Sequence, residues 1–529
     1  MFKKSLIKKN ILNKLLALVM VSSIALSGCG TKADKNVSKT NNNDKEIVLA
    51  TPRDVAPGKE NVHFTNVLSY VWEPLVTMNK KGEPTPKLAK SWEMSKDAKQ
   101  WTFKLQEGVT FHNGEKFNAD IVVANFNRYK KLKNGKSNFY TFKVDKIYPG
   151  LIDCVKVDDL TVKLNFKKPV PTLVYNMVNF GSPIFHPNDF GKDGNFVVDK
   201  PNATGPFKLI ESVKNSHCVL EAFDNYWGEK AKAKKIRIKT IPEGQTRYSA
   251  LKAGEIMGVL DLGAITPNLA EELLKDSKFE SSVEKSSINH FLSLNGTKFP
   301  FNNPKMKEAV SLAIDRNLIV DKFYKGFGNA TQNLLNHASP FYKEIKPEYN
   351  LEKAKKLASE VLKGENADVT MIIPSEFTKK YPYKEEAQYI QSVLKELGLN
   401  VNINIYDFAT FNQIRDKGDF HLQMHIQGLP NMEPYTMFDN YMRSNGSTNK
   451  NYHFAYKNDK VDSLMNKLDE TLDIEKRAAI YNEIQNISAK DLPTIPLFSE
   501  MNLVVSNKEV TGHNALIYGT TLPELQWSK

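Results

Sequence analysis

The chain has 529 residues, 41% apolar and 25% charged, with a formal net charge of +13. Those proportions belong to an ordinary globular protein, and the length exceeds the ~250 to 300 residues at which a single core stops growing, so more than one lobe is expected. Five of the positive charges precede Cys29, and the later lysines are scattered without the aromatic-basic platforms of a nucleic-acid groove, so that partner is not expected.

Residues 1–28 read as a signal peptide: Lys3, Lys4, Lys8, Lys9 and Lys14, then an apolar run from Leu15 to Leu26, then small residues. The run falls short of the roughly 20 residues a membrane-spanning helix needs, so cleavage is expected. Leu26-Ser27-Gly28-Cys29 resembles the lipobox of bacterial lipoproteins, which makes Cys29 the lipid-bearing first residue of the mature chain. Residues 30–45 hold no aromatic side chain and little to bury, so 29–45 form a lipidated flexible tether. Cys154 and Cys218 are the other two cysteines, and the sequence leaves open whether they are bonded. No CxxC or HExxH spacing points to a metal site or cofactor.

Beyond the tether, strand-like and helical stretches alternate, which predicts an α/β protein with α+β elements. Glu46–Ala50 reads as a strand, Trp101–Leu105 alternates with period two, and Asn113-Gly114 closes a turn. Asn118 is placed to cap a helix carrying Val122, Phe126 and Tyr129 on one face. Leu160–Phe166 alternates again. Asn303 and Pro304 start a helix with a Met306, Val310, Ile314 stripe that Gly326 stops. Glu385–Leu397 is a helix ended by Gly398, Val401–Tyr406 and Phe420–His425 are strands, Val461–Ala489 is helix-rich, and Leu503–Ser506 is the last strand.

Several stretches, in order over the chain from Glu46 onward, resemble the extracellular solute-binding proteins of the peptide/nickel family. They are Trp72-Glu73-Pro74-Leu75-Val76, the run from Pro86 to Trp92, Trp101 to Leu105 with Gly108 to Gly114, Thr204-Gly205-Pro206-Phe207, Asn225-Tyr226-Trp227-Gly228, Arg247 to Asp261, and Val310 to Arg316. The resemblance implies a two-lobed periplasmic-binding-protein-like clamp with an extra subdomain on the first lobe, closing on ligand. It assigns lobe I to 46–290 with the subdomain at about 75–200, lobe II to 291–495, and a return to lobe I over 496–529. It also implies a monomer that docks on the permease subunits of an ATP-binding-cassette importer, held at the membrane by its lipid. His112 and the tryptophans of these motifs read as turn and core anchors.

Ligand-selecting residues are expected on strand ends and loops. The first loop offers Arg53, able to pair a carboxylate bidentately, with His63 and Phe64; a second offers Tyr140; the third, after Phe420–His425, offers His425, Gln427, Asn431 and Tyr435. Peptide-binding relatives carry an aspartate near the place of Pro430, and none stands between Gly428 and Phe438; nickel-binding relatives carry a histidine where Tyr435 stands. The ligand is therefore read as a short peptide or small zwitterion, with a nickel or other transition-metal chelate as the alternative. A peptide-sensing lipoprotein on the same fold is a further reading, and an extracytoplasmic hydrolase, for which no GxSxG or HExxH stands in the chain, a more distant one.

Overall fold

The computed structural model describes residues 45–54, 70–132, 144–178, 183–429 and 432–529. Strand β1 is Ile47–Thr51, whose apolar run IVLA is buried almost throughout, as a strand covered on both faces requires. An antiparallel sheet of four strands follows: β2 (Ala89–Met94), β3 (Gln100–Leu105), β4 (Leu151–Asp158) and β5 (Thr161–Phe166), in the order β2-β3-β5-β4. Helix α1 (Ala119–Tyr129) lies against β4, its N-terminus capped by the Asn118 side chain accepting from the Ile121 N–H, with Val122, Phe126 and Tyr129 buried as the periodicity predicts. This is the extra subdomain. Its tryptophans anchor it: Trp101 donates from Nε1 to the Val170 carbonyl at 3.0 Å, and Trp72 packs edge-on against Phe185 and Phe196.

The chain then returns to the main sheet through β6 (Phe207–Val213), β7 (His217–Ala222), β8 (Lys235–Thr240) and β9 (Gly258–Val259). The long β10 (Phe279–Leu294) leads to α2 (Pro304–Ala313) and β11 (Gly328–Ala330). After these come β12 (Ala367–Pro374), α3 (Ser375–Lys380), α4 (Tyr383–Lys395), β13 (Leu399–Tyr406), β14 (Leu422–Gly428), α5 (Tyr435–Met442), α6 (Ile474–Asp491) and β15 (Ile495–Asn507). Among the described residues the main sheet has 11 strands in the order β6-β7-β8-β1-β9-β15-β10-β14-β12-β13, with β11 also on β15.

Two antiparallel strands, β10 and β15, carry this sheet from one lobe to the other. Phe279–Lys285 pairs with Met501–Asn507 beside β9, whereas Asn289–Leu292 pairs with Ile495–Ser499 beside β14. Between these stretches the ladder slips at Lys285/Asn289, and side chains take over: Asn289 Oδ1 accepts from Ser499 Oγ and Asn336 Nδ2, both at 2.7 Å. The apolar core divides likewise. One large cluster fills the subdomain and the β6–β9 end, and another lies under β12, β13 and α4.

The sequence expectations needed correction at three places. The helix expected to run from Pro304 to Gly326 is two: Asp315 caps a second helix, Arg316–Phe323, through the Leu318 N–H. The break lets the Arg316 guanidinium turn inward, onto the Pro496 and Ser311 carbonyls and the Ser311 hydroxyl. The strand expected at Leu503–Ser506 starts at Ile495, because Pro496 sits at the bulge near His290/Phe291 where no ladder N–H is needed, and it is not the last: Val510–Thr511 and Gln526–Trp527 pair after it. The strand expected to end at His425 continues to Gly428, extended by its pairing with β10. Cys154 and Cys218 are both free and buried, in β4 and β7.

Candidate functional site

A cleft of about 450 Å3 opens where the segment after residue 69, the subdomain and the C-terminal segment converge. Tyr70, Trp72, Met78 and Pro206 form one side, and Glu284, Ile517 and Tyr518 another. The volume falls in the range of small-molecule sites, roughly 300–1,000 Å3, and the mixture of aromatic wall and few polar groups is typical of them.

Specific contacts fix several of the residues that line it. Tyr70 has a left-handed backbone, φ 54°, and donates its hydroxyl to the Thr520 carbonyl at 3.0 Å. Gly205 makes this possible: a β-carbon there would stand 2.2 Å from the Tyr70 carbonyl oxygen and 2.5 Å from that of Val71. Glu73, buried beside the cleft, accepts from the Tyr226 hydroxyl at 2.6 Å and Trp227 Nε1 at 3.0 Å, with the Lys87 ammonium at 3.0 Å. The two motifs WEPLV and NYWG are thus one buried polar cluster, and burial together with Glu73 drives the Tyr226 phenol far above its usual range. On the opposite side the Tyr518 hydroxyl donates to the Leu429 carbonyl at 2.5 Å, tying the C-terminal segment to the end of β14. Tyr518 and Ile517 belong to an apolar cluster otherwise built from the second lobe around Phe341, Met432 and Tyr481, and Met78 and Val178 pack against it from the first lobe. The cleft therefore lies at the junction of the lobes.

The residues singled out from the sequence are not all there. Arg53 stands at the end of β1 with its Nε 2.8 Å and Nη2 3.4 Å from the Asp261 carboxylate, so the bidentate geometry expected for a ligand acid is taken up by the chain's own aspartate. His425 lies in the core, 3% exposed, stacked on Phe291 and edge-on to Tyr452, with Ser293 Oγ at Nδ1 and Tyr441 Oη at Nε2. Burial, with Arg415 and His290 nearby, pushes its pKa down to about 3, so it is a neutral core residue. The extra turns of strand beyond His425 are the reason: a residue expected on a loop is paired inside the sheet.

Gln427 is half-buried on the same strand, its Oε1 accepting from Tyr441 and its Nε2 donating to the Gly428 carbonyl. Tyr435 opens α5, where its hydroxyl donates to Asp469 at 2.5 Å and accepts from Arg443. Glu433, just before it, is buried against Arg477 and Tyr481. Cys29, His63, Phe64, Tyr140 and Asn431 lie outside the described residues. Among the described residues no group of three His, Cys, Asp or Glu side chains is arranged to hold a metal ion. The residues that sequence reasoning missed are Tyr70, Met78, Glu284, Ile517 and Tyr518. The one local signal was the apolar Leu516-Ile517-Tyr518 before Gly519 in an otherwise polar stretch.

Residues 83–449 match the family model of the bacterial extracellular solute-binding proteins, family 5. The chain belongs to this family. It is a solute-binding protein of the kind that serves ATP-binding-cassette importers. Heme-binding protein A of Haemophilus influenzae is 26% identical over 93% of this chain and 95% of its own. The periplasmic oligopeptide-binding protein OppA of Salmonella typhimurium is 26% identical over 97% and 96%. The structure of NikA from Brucella suis in complex with Fe(III)-EDTA superposes with a TM-score of 0.79, covering 92% of this chain and all of that one at 23% identity, which supports the two-lobed fold. The relatives are binding proteins, and this solute-binding protein shares their architecture over nearly its whole length.

Proposed function

We propose that the protein is lipid-anchored at Cys29 on the outer face of the cell membrane. There it captures a short peptide or similar small zwitterionic solute as a monomer and hands it to the permease subunits of an ATP-binding-cassette importer. The observation that carries the reading is the cleft at the lobe junction, with first-lobe residues Met78 and Val178 and the Ile517-Tyr518 segment packed on the second lobe's apolar cluster. A pocket so placed is reshaped by any movement of one lobe on the other, which is how clamp proteins couple binding to closure. Arg53, sharing its guanidinium with Asp261, is the recognition residue for a ligand acid group; His63, Phe64, Tyr140, Gln427, Asn431 and Tyr435 complete the set, and the enclosed His425 is left out of it. The lobes are taken as 46–290 with 496–529, and 291–495.

A second reading, a nickel or other transition metal bound as a small organic chelate, is favoured by the likeness to the NikA structure holding Fe(III)-EDTA. Mass spectrometry of whatever co-purifies, followed by thermal shift across di- to pentapeptides and nickel chelates, separates the two. A hundredfold excess over Kd stabilises by about 2.7 kcal/mol. No shift with any member of the panel refutes both. Cys29→Ser is expected to leave the precursor unlipidated and release it from the membrane; a variant that remains membrane-bound with unchanged mobility refutes the anchor.

A further inference from the structure

Lys380 closes α3 in the second lobe, and its side chain runs over Gly263, which follows β9 in the first. A β-carbon on Gly263 would stand 2.1 Å from Lys380 Cε and 3.0 Å from Nζ, so the lysine fills the space that only a glycine leaves. The segment under it is held in an unusual shape. Asp261 has φ 90° and Gly263 φ 67°, the Leu262 N–H donates to Asp261 Oδ1 at 2.8 Å, and the buried Arg247 donates from Nε to the Ala264 carbonyl at 2.6 Å. A non-glycine residue at positive φ persists only where its surroundings impose it.

The charges along this line alternate. Arg53 pairs with Asp261 at 2.8 Å. Burial works against the Lys380 ammonium and lowers its pKa, Glu500 and Asp261 attract it, and Arg53 and Arg247 oppose it. Glu500, on β15 where that strand crosses between lobes, accepts from the Tyr381 hydroxyl at 3.1 Å and has His290 Nε2 at 3.5 Å. Lys380, Tyr381, Glu500 and Gly263 enclose one small cavity of about 20 Å3, so they are neighbours in space. Asp261, Arg247 and Glu500 are buried while Lys380 is half-buried and Arg53 exposed, and a buried carboxylate that loses a cationic neighbour is left desolvated with less to offset it, which favours the arrangement that keeps the cations near.

We propose that Lys380 is a positioning residue for ligand capture: a cationic strut from the second lobe that seats on Gly263, attracts Asp261 at longer range and so steadies the pairing of Asp261 with Arg53 at the mouth of the first loop, favouring the lobe arrangement seen here. The strut rests on the clamp reading above, but its test needs no ligand. The ligand-free protein is compared with Lys380→Met, Lys380→Arg and Gly263→Ala by small-angle scattering and by hydrogen exchange over 258–264. Lys380→Met is expected to raise the radius of gyration and to lower amide protection in that segment by roughly tenfold. Lys380→Arg retains the charge and is expected to restore most of both, whereas Gly263→Ala, which evicts the lysine stem without touching its charge, should reproduce Lys380→Met. A folded Lys380→Met with the parent's radius and protection overturns the proposal, as does one that only melts earlier. Should Lys380→Met fail to fold, Gly263→Ala decides, and unchanged protection in it refutes the strut. Failure of the peptide and chelate panel, with these differences present, would instead count against the ligand reading alone.

Discussion

Glu386 offers a measurable pH dependence. It lies on α4, wholly buried, with Oε2 accepting from the Tyr324 hydroxyl at 2.9 Å and Oε1 without a partner. Burial raises its pKa from 4.5 to about 8, the Tyr324 hydrogen bond offsetting only part of that. Among its neighbours, burial drives the Tyr324 and Tyr383 phenols far above this window and pushes the His290 imidazole down. Between pH 4.5 and 8 the folded protein therefore keeps a proton here that the unfolded chain has lost. Stability falls as pH rises, because the slope follows protons bound in the unfolded state minus those bound in the native state. The contribution is fully present below pH 4.5, declines by about 1.4 kcal/mol per pH unit, and is gone above pH 8. Glu386→Gln keeps the shape, remains neutral and still accepts from Tyr324. The assay is denaturant unfolding of both proteins at pH 5, 6.5 and 8. The variant is expected to gain on the parent from pH 5 to 8 by on the order of 4 kcal/mol. Every other titrating group cancels in the difference, so a constant difference between the two proteins at all three pH values refutes a neutral buried Glu386.

Two further perturbations test the frame. Arg316→Met strands the Pro496 and Ser311 carbonyls that the guanidinium now satisfies; it is expected to cost about 3 kcal/mol or more by the same denaturation assay, and a loss under about 1 kcal/mol would show those carbonyls to be otherwise satisfied. Gly205→Ala drives a methyl into the backbone of Tyr70 and Val71, so a lowered Tm and a weakened cleft wall are expected, read by thermal unfolding and by ligand affinity together; an unchanged Tm refutes the close approach.

The fold was legible wherever a residue's role is local. Asn118 and Asn303 cap where their spacing says they do, and the alternation of Trp101–Leu105 is a strand with its apolar side in the core. What the sequence hid is non-local. Pro496 reads as a strand breaker until its bulged partner is known, and no local mark in Ser286 to Asn289 tells that β10 continues through them as buried strand. His425 looks like a ligand because a lone histidine carries no mark of the Phe291 and Tyr452 rings that enclose it. Arg53 looked unpaired because Asp261 lies 208 positions away. Leu516–Tyr518 joins the cleft only because the chain comes back, which no window of sequence reports.

That return has a consequence for the order in which the molecule can be made. The first lobe's short β9 has β15 as its neighbour on one side, and β10 takes the same strand along most of its length. A chain emerging amino end first thus presents residues 46–294 with the middle of their sheet unfilled until residue 507 is out. Long-range pairings of this kind form slowly and late. In a protein threaded through a membrane channel as an extended chain, the main sheet would be completed only when nearly all of it has crossed. A chain held back at residue 490 would lack the one strand that both ends of that sheet share.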